Sequence, residues 1–561
     1  MTRTLPGVMA AVSRARSRVV AVACAALILA ATSACAADQG VSSVGAEPSP
    51  TNPVTTTLPA TDGATNVPEI PEPATTEPPA SPPATAPATT PPTEPPEPSL
   101  PAISEPELLA DVPIGDVVNV DDNKPARDYD AFVGVAVSDI ERWWGETFPE
   151  VYGGQFDPLS GGVWAGYPER QTDLPGCGED RTPYEDLNLY VAFYCEFDDF
   201  LMYDDGDQSL LAPLASDFGP AVMGIVLAHE FGHAIQSRVG ALDQFLPTIY
   251  TEQQADCFAG AWAGQAYRGE SPLLRLGDAD VRAGLIAMLE VRDPIGTDQF
   301  VPGGHGSAFD RVGAFQEGFV SGAQRCSELL EDPLPLMPNR FQSQEDFERE
   351  GNASYDCSDD PDPDCTPATE FLADDLNHFW QTELGDDFPA LADVPRDGVD
   401  GFSCADGVRL AEAVLVCPSQ NAVVYDEPEV LDLYNQFGDF TLGYFYGIAW
   451  AERVQELEGS ALQGEQRALL DDCFTGAWVR DITPDPNTGL PTRTGDRDGD
   501  GVDDTPITSS PGDLDEAIRM AILFGDEGAN VNRFGSPFEK IESFRVGVLG
   551  GIDGCNARFG V

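Results

Sequence analysis

The stretch "QQADCFAGAWA" (residues 253–263) is written again, almost letter for letter, as "LLDDCFTGAWV" (residues 469–479). Asp-Cys-Phe-x-Gly-Ala-Trp thus occurs twice in one chain. Working outward from Cys257 and Cys473, the likeness continues. Downstream, "GSAFDRVGAFQEGFVSGAQRC" (306–326) faces "GSPFEKIESFRVGVLGGIDGC" (535–555) without a gap. Upstream, "VLAHEFGHAIQSRV" (226–239) faces "YFYGIAWAERV" (444–454), and "CGEDRTPYEDLNLYVAFYC" (177–195) faces "CADGVRLAEAVLVC" (404–417). Even "DIERWWGETF" (139–148) has a counterpart in "DLNHFWQTEL" (375–384). One chance match is common. A collinear series is not, and it reads as the duplication of a whole domain. We therefore expect an α+β, mostly helical body of two tandem copies, residues 113–345 and 366–561, joined by a connector at 346–365.

Ahead of this body, residues 1–35 read as an export signal. Arg3, Arg14, Arg16 and Arg18 precede the apolar run "VVAVACAALILAA" (19–31), which is too short for an ordinary membrane span. The run ends in "TSAC" at Cys35, a pattern that resembles a bacterial lipobox. Two outcomes stay open: a lipoprotein on the outer face of the cell membrane, anchored through Cys35, or a secreted protein. Residues 36–112 are Pro, Thr, Ala and Glu with few large apolar residues, the composition of an extended disordered tether. The chain carries 95 acidic and 30 basic residues, a formal charge of −65. Such a field repels nucleic acid and anionic membrane surfaces, so neither is an expected partner beyond a lipid anchor.

Of the 12 cysteines, Cys24 and Cys35 belong to the signal, which leaves an even number in an exported chain. Order alone does not give connectivity, but a duplication does. The pairs that recur in both copies are Cys177–Cys195 with Cys404–Cys417, and Cys257–Cys326 with Cys473–Cys555. Cys357 and Cys365, left over in the connector, can close on each other.

The chemistry sits in the first copy. "HEFGH" (229–233) lies in a helical pattern, so His229 and His233 share a face one turn apart. Two imidazoles so placed can share a zinc ion, with Glu230 positioned to take a proton from the water that such an ion activates. A catalytic zinc needs a third protein ligand. Glu252 opens the next helical stretch, with Asp256 four residues on, and this Glu-x-x-x-Asp resembles the third-ligand helix of gluzincin peptidases. The resemblance implies Glu252 as zinc ligand and Asp256 as the group that orients a ligand histidine.

Residues 177–326 together resemble the bacterial putative neutral zinc metallopeptidases. The motifs are "FYC" (193–195), "HEFGH" with Gln236, "E-x-Q-A-D-C-F-A-G" (252–260), and "HGSAF" (305–309) followed by Arg311, Phe315, Gly318 and Cys326. Phe231 and Ala234 depart from the pattern, which favours Leu and His. The resemblance implies a zincin-like fold, His229, His233 and Glu252 as ligands, Glu230 as general base, and His305 near the site. His305 reads either as a catalytic donor to the oxyanion or as a structural loop histidine.

In the second copy the same alignment turns His229, Glu230, His233, Glu252 and His305 into Tyr444, Phe445, Ile448, Ala468 and Phe534. It is expected to be a degenerate, zincin-like repeat holding no zinc. Its insert "DRDGDGVDD" (496–504) has the spacing of a calcium loop through Asp496, Asp498, Asp500 and Asp504, or is a solvated acidic loop. The expected function is that of an exported zinc peptidase acting on peptides or proteins. The alternative is a non-catalytic surface scaffold with a structural or vestigial zinc.

Overall fold

The computed structural model describes residues 105–178, 184, 191–341, 343–358, 365–385, 388–399, 401–411, 413–484, 507–526 and 534–561, all within one compact unit. The signal with Cys35, most of the tether and the acidic insert Asp496–Asp504 lie outside the described residues. No helix among the described residues is long and apolar enough to cross a membrane.

The first half opens with β1 (Val118–Asn119) and the long helix α1 (Asp130–Tyr152). Three further strands follow: β2 (Gly162–Gly166), β3 (Ala192–Cys195) and β4 (Phe200–Asp204). They form one sheet in the order β1-β2-β4-β3, parallel except for the β3/β4 pair. Five helices complete this half: α2 (Leu211–Phe218), α3 (Ala221–Arg238), α4 (Thr248–Tyr267), α5 (Asp278–Glu290) and α6 (Ala308–Glu328). Helix α3 is apolar over most of its circumference and α4 is so from Cys257 to Gly264, and such surfaces are stable only when enclosed. Accordingly α3 is buried almost without break from Ala221 to Gln236, and α4 from Thr251 to Ala266.

After a short connector helix α7 (Gln344–Glu348), the second half runs α8 (Ala368–Leu384), β5 (Ala392–Arg396), β6 (Val408–Ala411), β7 (Val414–Cys417) and β8 (Ala422–Asp426). It continues with α9 (Glu427–Phe437), α10 (Phe440–Leu457), α11 (Glu465–Ile482), α12 (Asp513–Leu523) and α13 (Pro537–Phe559). Its sheet has the order β5-β8-β7-β6, with β5/β8 parallel and the other pairs antiparallel.

Each letter of the repeated stretch has a physical use, and the use is the same in both halves. Asp256 and Asp472 are fully buried anchors, described below. Cys257 bonds to Cys326, and Cys473 to Cys555. The Phe258 ring meets Trp144 edge-on at 5.0 Å, as Phe474 meets Trp380 at 5.4 Å. Trp262 donates its indole N–H to buried Asp139 (3.0 Å), and Trp478 donates to buried Asp375 (2.7 Å). The glycines set the crossing of α4 with α6 and of α11 with α13. A Cβ at Gly260 would stand 1.9 Å from the Phe315 carbonyl oxygen, and one at Gly476 would stand 2.0 Å from that of Phe544.

The partner glycine of the first crossing makes this testable. A Cβ at Gly318 would lie 1.8 Å from the Cys257 carbonyl oxygen, whereas nothing lies within 4 Å of one at Gly145 on α1. Gly318→Ala should therefore destabilise by about 1–3 kcal/mol or more, because backbone must move. Gly145→Ala should stabilise by about 0.5–1 kcal/mol through helix propensity. Denaturant midpoints of the two variants should move in opposite directions; a shared direction would show that the crossing is looser than described.

Further disulfides join Cys177 to Cys195, Cys404 to Cys417, and Cys357 to Cys365 within the connector. Glu107 and Leu108 pair antiparallel with Arg275 and Leu274, and Leu109 N–H donates to Leu273 O (2.8 Å), so the ordered body begins before residue 113. A two-residue edge pairing of this kind carries no compositional signal. Helix α7 spans the 345/346 boundary for a similar reason.

The halves meet through α5 and α6 on one side and α12 and α13 on the other. Arg292 pairs with Asp515 (2.6 Å) and Arg519 with Glu290 (2.9 Å). Gln316 donates to the Phe538 carbonyl (2.9 Å), while Arg545 donates to the Phe309 carbonyl (2.5 Å).

Candidate metal centre

Because α3 is a regular helix, His229 and His233 project from one face, with ring centroids 4.8 Å apart. Helix α4 crosses that face and delivers Glu252. The three side chains converge: His229 Nε2 lies 3.2 Å from Glu252 Oε2, His233 Nε2 lies 3.4 Å from Glu252 Oε1, and the two Nε2 atoms are 3.2 Å apart.

The opposite ring nitrogens are spoken for. His229 Nδ1 donates to Asp256 Oδ1 at 2.6 Å, and Asp256 is itself gripped by Arg311, whose Nη2 and Nε lie 2.8 and 2.9 Å from its two oxygens. His233 Nδ1 donates to Gln236 Oε1 (2.9 Å), and that amide is oriented because its NH2 donates to the Thr251 carbonyl (2.7 Å). Both Nε2 atoms are thereby turned toward the same point. Glu252 Oε2 is buried without a hydrogen-bond partner. Two imidazole nitrogens and an orphaned carboxylate oxygen aimed at one place are the donor set of a zinc ion with three protein ligands. The residues present fit the metal.

Glu230 stands beside the pair on α3 and is 7% exposed. Its charge helps to raise the pKa of His233. His305 lies on the loop after α5, half exposed, with Nδ1 3.3 Å from Asp293 Oδ1. Asp293 also accepts the backbone N–H of His305 (2.7 Å) and Gly306 (2.8 Å), so it fixes the whole turn. The charge of His305 helps to hold Glu252 ionised.

Burial opposes a positive charge on His229, but Asp256 and Glu252 outweigh it and lift its pKa to about 10. Burial likewise opposes the charge on His233, and Glu252 raises its pKa above the ordinary value. Burial would push Glu252 up, yet the imidazoles hold it well below the carboxylate range. Without a metal, then, protons hold the cluster together, and a metal must displace them. Zinc affinity should fall as pH falls, by about tenfold per pH unit for each proton displaced. Competition against a chromophoric zinc chelator across the neutral range measures this, and a pH-independent affinity would remove the protons from the account.

In the second half the corresponding place is a cleft lined by Tyr444, Phe445, Ile448, Ala468 and Phe534, without a histidine. Tyr444 O–H donates to Asp472 Oδ1 (2.5 Å) and Lys540 Nζ contacts both Asp472 oxygens (3.0 and 2.8 Å). Tyr444 and Lys540 thus stand to Asp472 as His229 and Arg311 stand to Asp256. Arg467 and Glu452 form an ion pair beside them (2.8 Å).

Residues 120–328 match the putative neutral zinc metallopeptidase family. Uncharacterised proteins of Mycobacterium tuberculosis and Mycobacterium bovis are each 32% identical over 151 residues, which is 23% of this chain and 52% of theirs. The chain thus spans about half the length of these mycobacterial relatives. The uncharacterised protein YpfJ of Escherichia coli is 28% identical over 219 residues, covering 34% of this chain and 68% of YpfJ. No solved structure matches. The family's description suggests a zinc hydrolase.

Arg311 and Asp293 carry positioning roles that the sequence reading does not assign. Arg311 belongs to the "HGSAF" motif region, but its chemistry becomes visible only once α6 lies across α4. A signal for Asp293 exists in its counterpart, Asp526, which accepts the N–H groups of Phe534 (2.7 Å) and Gly535 (3.0 Å) in the same way.

Proposed function

We propose that the first half is a zinc peptidase, with His229, His233 and Glu252 as the metal ligands. The observation that carries this reading is the convergence of their donor atoms beside Glu230, a carboxylate for which a purely structural zinc has no use. Zinc, when bound there, supplies Lewis acidity toward a peptide carbonyl and an attacking water. Glu230 takes the proton as the water oxygen bonds to the carbonyl carbon. It then delivers that proton to the amide nitrogen as the C–N bond breaks. Asp256 with Arg311 keeps the His229 ring in place, and Gln236 does the same for His233. His305, held by Asp293, is in this reading the donor to the oxyanion.

The second half is in this reading a degenerate copy of the first, without its zinc ligands or its acid–base group. Support comes from the paired anchors Asp256/Asp472, Asp139/Asp375 and Asp293/Asp526, from the matched glycine crossings, and from the reciprocal contacts of Gln316 and Arg545. The composition of residues 1–112 supports an exported, surface-tethered protein.

Purified protein should cleave members of a peptide library, and a zinc chelator should stop it with recovery on zinc addition. A protein that keeps its zinc and cleaves nothing would instead be the surface scaffold.

A further inference from the structure

Far from the histidines in sequence, three carboxylates meet in the interior of the second half. Asp439 immediately precedes α10. Asp513 begins α12, and Glu516 lies one turn along it on the same face. One oxygen from each of the three lies within 4.8 Å of the others. Asp439, Asp513 and Glu516 are 8%, 6% and 8% exposed.

Backbone groups account for one oxygen of each. Asp439 Oδ2 accepts the Ala353 N–H (2.9 Å), Asp513 Oδ2 that of Ser510 (2.8 Å), and Glu516 Oε2 that of Phe440 (2.9 Å). Asp439 Oδ1 is buried and has no hydrogen-bond partner. Asp346 on α7 adds a fourth carboxylate nearby, held by the Ser510 hydroxyl (2.9 Å). Among the described residues, no lysine or arginine forms an ion pair with Asp439 or Asp513. Gly438 makes the room: its φ is +116°, and a Cβ there would stand 1.9 Å from Glu516 Oε1.

A buried carboxylate with an unpartnered oxygen, such as Asp439, is costly unless a cation or protons compensate it. Burial, with the charge of Asp346, pushes Asp439 up to about 6. Burial, with the charges of Asp439 and Asp346, pushes Asp513 well above the carboxylate range. A donor set made only of oxygens suits a hard cation, and mixed carboxylate and water ligands suit calcium rather than zinc.

We propose that Asp439, Asp513 and Glu516 form a hard divalent-cation site that takes calcium. The ion would tie the connector, through Asn352 and Ala353, to the N-terminal ends of α10 and α12. The site is separate from the Asp496–Asp504 insert and from the zinc ligands, and it does not depend on the peptidase reading.

The test is thermal unfolding of the full, zinc-saturated chain in calcium-depleted buffer and with millimolar calcium. The proteins compared are the parent, Asp439→Asn, Asp513→Asn and Asp498→Ala. Calcium should raise the parent midpoint by a few degrees. Asp439→Asn and Asp513→Asn should lose most of that rise, yet unfold no lower than the parent in calcium-depleted buffer, because each relieves repulsion. Asp498→Ala should keep the rise. Calorimetric titration with calcium chloride covers the case of a damaged variant, since Glu516→Gln should lose one binding event seen in the parent. The proposal fails if calcium does not shift the parent. It also fails if the rise survives in Asp513→Asn and vanishes in Asp498→Ala.

Discussion

Glu230→Gln should leave zinc bound and stop hydrolysis. The amide has the size of the carboxylate and can still hydrogen-bond to a water, but it cannot accept that water's proton. General-base assistance is typically worth about 10²–10⁴ in rate, so an ordinary assay should read background. Glu230 points to no metal role: the converging atoms belong to His229, His233 and Glu252. Zinc content should therefore match the parent. Cleavage at the parental rate by Glu230→Gln would end the peptidase reading.

His233→Ala should fail differently, losing zinc and activity together. Two protein ligands rarely hold a catalytic zinc at ordinary free concentrations. The lost ring also frees Gln236, whose other bonds to Thr251 and Gln254 (2.7 and 3.1 Å) then anchor nothing at the site. Fold stability should change little beyond the lost metal, since the His233 side chain is partly exposed. Activity that survives with zinc still bound would mean that the ligands are other than these.

What the sequence could reveal follows from how local each feature is. The His229/His233 geometry is a property of one helix, so four-residue spacing suffices to read it. Glu252 comes from a second helix, and no spacing rule says that α4 crosses α3 at that point; only resemblance to a family supplied it. Arg311 is further still, because its grip on Asp256 requires α6 to lie across α4 at glycine contact distance. The repeated stretch was legible as a repeat, but the reasons for its letters were not. Trp262 needs Asp139 and Trp478 needs Asp375, partners more than 100 residues away in each half. Contacts between the halves, such as Gln316 to Phe538, leave no periodic trace in either segment. The buried carboxylates around Asp439 leave no sequence signal for the same reason: they come from two helix starts and a connector, each of which looks like ordinary capping sequence.

The most direct test of the account is zinc content per chain after dialysis in calcium-free buffer, measured for the parent and for His233→Ala in one experiment. About one zinc for the parent and none for the variant is the expected result, since a three-ligand donor set is present in the first half and the proposed second copy offers Tyr444, Phe445 and Ile448 in place of His229, Glu230 and His233. Two tightly held zinc ions in the parent, or one that persists in His233→Ala, would contradict it.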